Sequence, residues 1–203
     1  MTYLQTVSHY LMANWLEVAG VATTLAGIWM TTRRWLSCWP VVLISDVIYF
    51  VVFYQSRLLS DAILQIVFIA FTLYGWWFWV RGVRDEGEVK VEPQPGKSMV
   101  QGLLLGAAGS IFWGYWMTRL HAALPYLDAT LAIYSLVASW WGARKHISNW
   151  WLWIVIDLIY VGEYIYKGLV LTAVLYGLLI ALAGLGVRDW QRAARQEPQT
   201  VSA

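Results

Sequence analysis

Residues 149–166 read NWWLWIVIDLIYVGEYIY, and one acid stands among neighbours suited to lipid. At 100° per residue, Trp150, Trp153, Asp157, Tyr160 and Tyr164 fall on one face of a helix. An acid at the centre of a membrane helix costs about 2.5–3.5 kcal/mol on insertion scales, so it normally faces a bundle interior or a cavity. Flat aromatic surface beside a carboxyl group suits a planar, cationic or hydrogen-bonding ligand, through stacking, cation–π attraction and an acidic partner. The blander alternative is an Asp bonded to another helix beneath an interfacial aromatic belt, and Trp150, near the helix end, is most open to that reading. Asp46 repeats the pattern with Trp39 and Tyr49 on its face, as a second wall of the site or as a structural partner. Gln65 and Tyr176 are suited either to bonding a ligand or to bridging helices. Glu163 lies about 120° around the helix from Asp157, so one site need not contain both.

Other chemistry finds no home. No nucleophile stands beside a base, so no catalytic residue and no cofactor are expected. His9, His121 and His146 lie at or near span ends without metal-ligand spacing, and Cys38 is the only cysteine, so no metal site is expected. No glycine-rich phosphate loop follows a strand. With 14 basic against 12 acidic residues, the charge balance does not suggest nucleic acid as a partner.

The elements that must position these residues are membrane helices. The chain is 60% hydrophobic and 13% charged, where soluble domains are nearer half and a quarter. Apolar stretches long enough to cross a bilayer run approximately over 15–32, 35–55, 59–81, 99–120, 125–143, 149–166 and 169–187. Residues 82–98, GVRDEGEVKVEPQPGKS, read as a polar loop at the water surface, and the tail as polar and frayed. The first residues show neither a basic n-region nor a small-residue cleavage site, so no cleaved signal peptide is expected. Arg33, Arg34, Arg81, Arg84, Lys90, Lys97, Arg144, Lys145, Arg188, Arg192 and Arg195 lie on one side, against Arg57, Arg119 and Lys167 on the other. That bias predicts an outer N-terminus and a cytoplasmic C-terminus.

The chain also repeats itself. An offset of 111 pairs Asp46 with Asp157, Trp29 with Trp140, and Arg33-Arg34 with Arg144-Lys145. It continues through Trp39 with Trp150, Tyr49 with Tyr160, Gly75 with Gly186 and Trp79 with Trp190. Apolar composition aligns leucines by chance, but not Trp, Asp, Arg and Gly together. Three spans plus one restore the starting direction, so the expected fold is an all-α integral membrane protein of seven helices in a 3+1+3 parallel repeat. Its parts are a first repeat at 1–82, a cytoplasmic loop at 83–98, a connecting helix at 99–120, a second repeat at 121–192 and a flexible tail at 193–203. Gly102, Gly106 and Gly109 in the connecting helix favour close helix contact, or are ordinary membrane-helix glycines. The basic pairs read more simply as topology determinants than as ligand sites.

The stretch SNWWLWIVIDLIYVGEYIYKGLVLTAVLY resembles the signature of the PnuC vitamin-transporter family. Asn149, Trp150, Trp153, Asp157, Tyr164, Lys167, Gly168, Leu169, Thr172, Ala173 and Tyr176 stand at matching positions. In the third span Asp61, Ala62, Gln65, Tyr74, Gly75, Trp76 and Trp79 are similar to a further family pattern, and ARKHISNW resembles the basic turn before the sixth helix. The resemblance implies a seven-helix transporter related in architecture to the SWEET sugar transporters, and a homotrimer in the cell's inner membrane. It implies facilitated diffusion of a vitamin, best known as nicotinamide riboside, trapped by a cytoplasmic kinase coupled through metabolism rather than by binding. It places Trp150, Trp153 and Asp157 in the ligand site, with Gln65 beside them.

The sequence departs from that pattern in the fifth helix, where many riboside carriers have a glutamine. Here the stretch is LVASWWGARK, with Ser139 followed by Trp140 and Trp141, and Glu163 stands where a smaller residue is expected. Thiamine, with a thiazolium charge and two flat rings, therefore stays an alternative cargo, with riboflavin behind it. A retinal-binding receptor needs a lysine inside a span, and the seventh contains none. An intramembrane enzyme lacks a metal cluster or a nucleophile with its base.

Overall fold

The structure, a computed structural model, describes residues 15–57, 59–86, 89–91, 93–119, 124–166 and 170–196. Among these residues it is all-helical, with α1 (Trp15–Thr32), α2 (Cys38–Gln55), α3 (Leu59–Glu86), α4 (Gly96–Arg119), α5 (Pro125–Ala143), α6 (Ser148–Tyr166) and α7 (Val170–Gln196). Apart from the charged ends of α3 and α7 their sequences are largely apolar, as expected where lipid surrounds the bundle and backbone groups must be satisfied within each helix. Three are long and apolar enough to cross a bilayer: α2, α3 over Asp61–Arg84, and α7 over Thr172–Gln196. Pro40 and Pro125 sit in first turns, where the missing N–H has no intrahelical partner to lose.

The helices close into a ring. Contacts run α1–α2, α2–α3, α3–α5, α5–α6, α6–α7 and back from α7 to α1, while α4 packs against α5 alone. The α4–α5 contact is close because Gly102 and Gly106 face Trp141 and Tyr134, leaving no room for a side chain. That favours the close-contact reading of those glycines.

Two seams join helices α1–α3 to helices α5–α7, and each carries a reciprocal bond. The Trp79 indole N–H of α3 donates to the Ala143 carbonyl at the end of α5, at 3.1 Å. The Trp190 N–H of α7 donates to the Thr31 carbonyl near the end of α1, also at 3.1 Å. Trp79 and Trp190 are fully buried and touch each other with ring centroids 5.8 Å apart. Each also meets a third ring edge-on, Trp39 against Trp79 and Trp150 against Trp190. Four tryptophans thus form the core at this end of the ring.

The interhelical stretch after α3 departs from expectation. α3 continues to Glu86 and α4 begins at Gly96, so helix occupies both ends of the expected 83–98 loop. Between them Val89 and Val91 are buried against the tryptophan cluster. Arg34, held in a left-handed turn at φ 60°, donates to the Val89 carbonyl at 3.0 Å, and Ser148 bonds to Gln94. A short V-K-V alternation therefore straps the turn end of both helix sets together. α7 likewise extends to Gln196, so residues 193–196 of the expected tail are helical.

Candidate substrate site

The ring encloses a cavity of about 440 Å³ lined by all six of its helices and by nothing from α4. Asp46, Gln65, Trp150, Trp153, Asp157, Tyr160 and Tyr176, the seven residues singled out from the sequence, all border it. They reach one space because α2 and α6 run on opposite walls and turn matching faces inward. The repeat is visible there: Asp46 and Asp157, Tyr49 and Tyr160, Thr24 and Ser135, and Gln65 and Tyr176 are each 111 positions apart.

Repeat-matched glycines seat the tryptophans. A Cβ on Gly75 would lie 2.1 Å from the Trp39 ring, and one on Gly186 would lie 2.4 Å from the Trp150 ring. No side chain fits in either place, so each indole packs directly against glycine backbone. Trp150 is 3% exposed and Trp39 8%. Trp153 is packed between the tryptophan core and a second cluster around Leu131, Ala138 and Ile156.

The two aspartates sit differently. The Thr72 hydroxyl donates to the Asp46 carboxyl at 2.7 Å, tying α3 to α2. Asp157 is 4% exposed, and no described residue hydrogen-bonds its carboxyl. The residue matching Thr72 under the repeat is Ala183, which has no hydroxyl to offer. Beyond Asp157, Tyr160 stacks on Tyr164 along α6, and Tyr176 of α7 meets both with tilted rings, centroids 4.7–5.9 Å apart.

The hydroxyl protons of the remaining lining are largely used within the protein. Thr31 donates to Gly27, Ser135 to Leu131 and Ser139 to Ser135, each a carbonyl four residues back. Thr24 and Ser45 bond across α1 and α2 at 2.6 Å. Asn149 donates to the His146 carbonyl at 2.6 Å. Thr72 and Ser45 were not singled out from the sequence, where their only signal is a polar atom inside an apolar run, and Asn149 was named only as a position of the family signature.

Of the four residues that depart from the family pattern, only Ser139 borders the cavity. Trp140 stacks on Tyr74 at the α3–α5 seam, Trp141 faces Gly102 of α4, and Glu163 is not part of the lining. The basic pairs serve the seams. Arg144 lies over Phe78, 4.9 Å from the ring centroid, and Arg33 pairs with Asp189 at 3.9 Å. No metal-binding cluster occurs among the described residues. His9, His121, Lys167, Gly168 and Leu169 lie outside them.

Residues 14–192 match the family model described as nicotinamide mononucleotide transporter. The nicotinamide riboside transporter PnuC of Escherichia coli (strain K12) is 25% identical over 211 residues, covering 90% of this chain and 87% of that protein. The riboflavin/roseoflavin transporter RibM of Streptomyces davaonensis is 28% identical over 192 residues, covering 92% and 89%. Among solved structures, the crystal structure of the vitamin B3 transporter PnuC aligns with a TM-score of 0.73 at 20% identity. That alignment covers 96% of this chain and 93% of the other, and it is a likeness of fold.

Proposed function

The chain belongs to the nicotinamide mononucleotide transporter family, whose relatives are multi-pass membrane transporters, and on that premise we propose that it carries nicotinamide riboside inward by facilitated diffusion. The observation that carries this reading is the cavity's lining. Among the described residues it contains three carboxyl groups, Asp46, Asp61 and Asp157, and no lysine or arginine. A mononucleotide would bring its phosphate against acids with no cation to receive it. The riboside brings a positively charged flat ring and no phosphate. The cavity's size lies in the range of small-molecule sites, roughly 300–1,000 Å³.

In this reading Trp150 and Trp153 supply stacking surface and Asp157 faces the cationic ring. Gln65, Tyr160 and Tyr176 complete the wall, and Asp46 serves the opposite wall through Thr72. The helices form two three-span repeats of the same orientation, joined by α4, with the N-terminus outside, the C-terminus in the cytoplasm and the whole in the inner membrane. The reciprocal seams and the repeat-matched cavity support that arrangement. Cytoplasmic phosphorylation of released cargo traps it without any kinase docking. Helix α4 touches only α5 and exposes Leu104, Leu105, Ile111 and Phe112, which supports a homotrimer in which it meets a neighbour or lipid. Riboflavin is the second reading, favoured by the Streptomyces davaonensis relative; thiamine has only its charge and flat rings in its favour.

Proteoliposomes should equilibrate labelled nicotinamide riboside with neither a proton nor a sodium gradient. Accumulation that requires a proton gradient would overturn passive transport. Preference for riboflavin over the riboside would move the assignment to the second reading.

A further inference from the structure

The carboxyl groups that border the cavity do not share one level. Thr72 of α3 holds Asp46, and Asp61 stands eleven residues from Thr72 toward the start of α3, about 16 Å away by helical rise. An ion pair closes within about 4 Å, so one cation cannot touch both. Asp157 is buried and Asp46 half-buried, whereas Asp61 is exposed and still borders the cavity. Asp61 therefore marks a mouth, at the end of the ring remote from the four tryptophans.

Aromatic rings occupy the interval. Phe53 lies seven residues beyond Asp46 on α2 and Tyr164 seven beyond Asp157 on α6, each about 10 Å toward the Asp61 end. Both border the cavity, as does Tyr176, whose ring centroid is 5.2 Å from that of Tyr164. A cation entering at the mouth thus meets an acid, then aromatic rings, then the inner acids. An acid in the first turn of a helix has a simpler use, since it favours the helix dipole. Glu17 in α1 and Asp128 in α5 begin their helices in the same way. Of these three acids only Asp61 borders the cavity, and the dipole does not account for that placement. Arg57, four residues before Asp61, is exposed and outside the lining.

Resting on the vitamin-carrier reading above, we propose that Asp61 is an outer station for positively charged, flat-ringed cargo. Its carboxylate draws the cation to the mouth, from which it passes Phe53, Tyr164 and Tyr176 on the way to Asp157. Asp61 is then a specificity-determining residue that acts on entry. It favours cationic over neutral cargo through the rate of association, where Asp157 acts through affinity. A neutral ring of similar outline gains nothing from it.

The test measures association rates by stopped-flow tryptophan fluorescence, for nicotinamide riboside and for its uncharged dihydro form. The proteins compared are the wild type, Asp61→Asn, Asp61→Glu and Asp128→Asn. At low salt Asp61→Asn should slow association of the riboside roughly tenfold and leave the dihydro form unchanged. The difference should shrink at about 1 M salt, where charges are screened within about 3 Å. Asp61→Glu keeps the charge and should keep the rate. Asp128→Asn removes the same charge from a first turn outside the lining, and should slow the riboside by less than about twofold. A role in the helix dipole alone would lower the melting temperature of Asp61→Asn and leave the ratio of the two rates unchanged. That result, equal slowing of both forms, or equal slowing in Asp128→Asn overturns the inference and leaves the carrier reading intact. A wild type that binds neither form overturns the carrier reading itself.

Discussion

The two halves of the ring present matching residues to one cavity but use them unequally. In the first half, Asp46 is held by Thr72, and its neighbours Tyr49 and Phe53 stack on each other. In the second, Ala183 stands at the matching position, no described residue hydrogen-bonds Asp157, and three tyrosines cluster beside it. One repeat keeps its acid as a strut between helices; the other leaves its acid facing the cavity. The difference rests on one donor position, Thr72 on α3, for which the residue 111 positions on is Ala183. The seams differ in the same manner. The α3–α5 seam joins Arg144 to an aromatic ring, while the α1–α7 seam pairs Arg33 with Asp189, which stands 111 positions beyond Phe78.

The largest expected effect separates the aspartates. Asp157→Ala should weaken riboside binding by about 10–100-fold, as for a lost bond to a charged group, whereas Asp46→Ala should mainly lower thermal stability. Calorimetry and unfolding scans on both variants decide this, and equal affinity losses would erase the distinction. Next come the glycines. Gly75→Ala and Gly186→Ala each force a Cβ into an indole and should cost about 1–3 kcal/mol of stability. A variant that unfolds like the wild type would show that the rings are free to move. The donor position itself can be exchanged. Ala183→Thr should give Asp157 an internal hydrogen bond and weaken binding several-fold, about 1 kcal/mol, while Thr72→Val should cost stability alone. Smallest are the seam charges. Asp189→Asn removes a long ion pair to Arg33 and a short one to the neighbouring Arg188, and should shift stability by less than about 1 kcal/mol, most at low salt. Arg144→Ala, losing its place over Phe78, should cost more, about 1 kcal/mol.

Much of the site was legible from residues alone. Helical spacing placed Trp150, Trp153, Asp157 and Tyr160 together, and the 111-residue offset supplied Asp46 on the facing wall. The contacts that close the ring were not legible. Helices that are apolar on every side carry no stripe saying which face meets which neighbour, so the α3–α5 and α1–α7 seams leave no periodic trace. Trp140 and Trp141 show the same blindness. Adjacent positions diverge by 100°, and neither ring bears on the cavity that Ser139 borders. Val89 and Val91 were hidden for another reason, since a three-residue alternation within a charged stretch is too brief to read as buried. Thr72 carried no signal beyond its hydroxyl, yet it distinguishes the two acids.

The bond from Trp190 to Thr31 spans 159 residues. Chains emerge from the ribosome N-terminus first, so α1 is made and inserted long before the helix that completes its side of the ring exists. Until α7 arrives, the ring is an open arc with a gap between α6 and α1. The architecture therefore matures late, at its last helix, and losing α7 would leave a broken annulus rather than a smaller carrier.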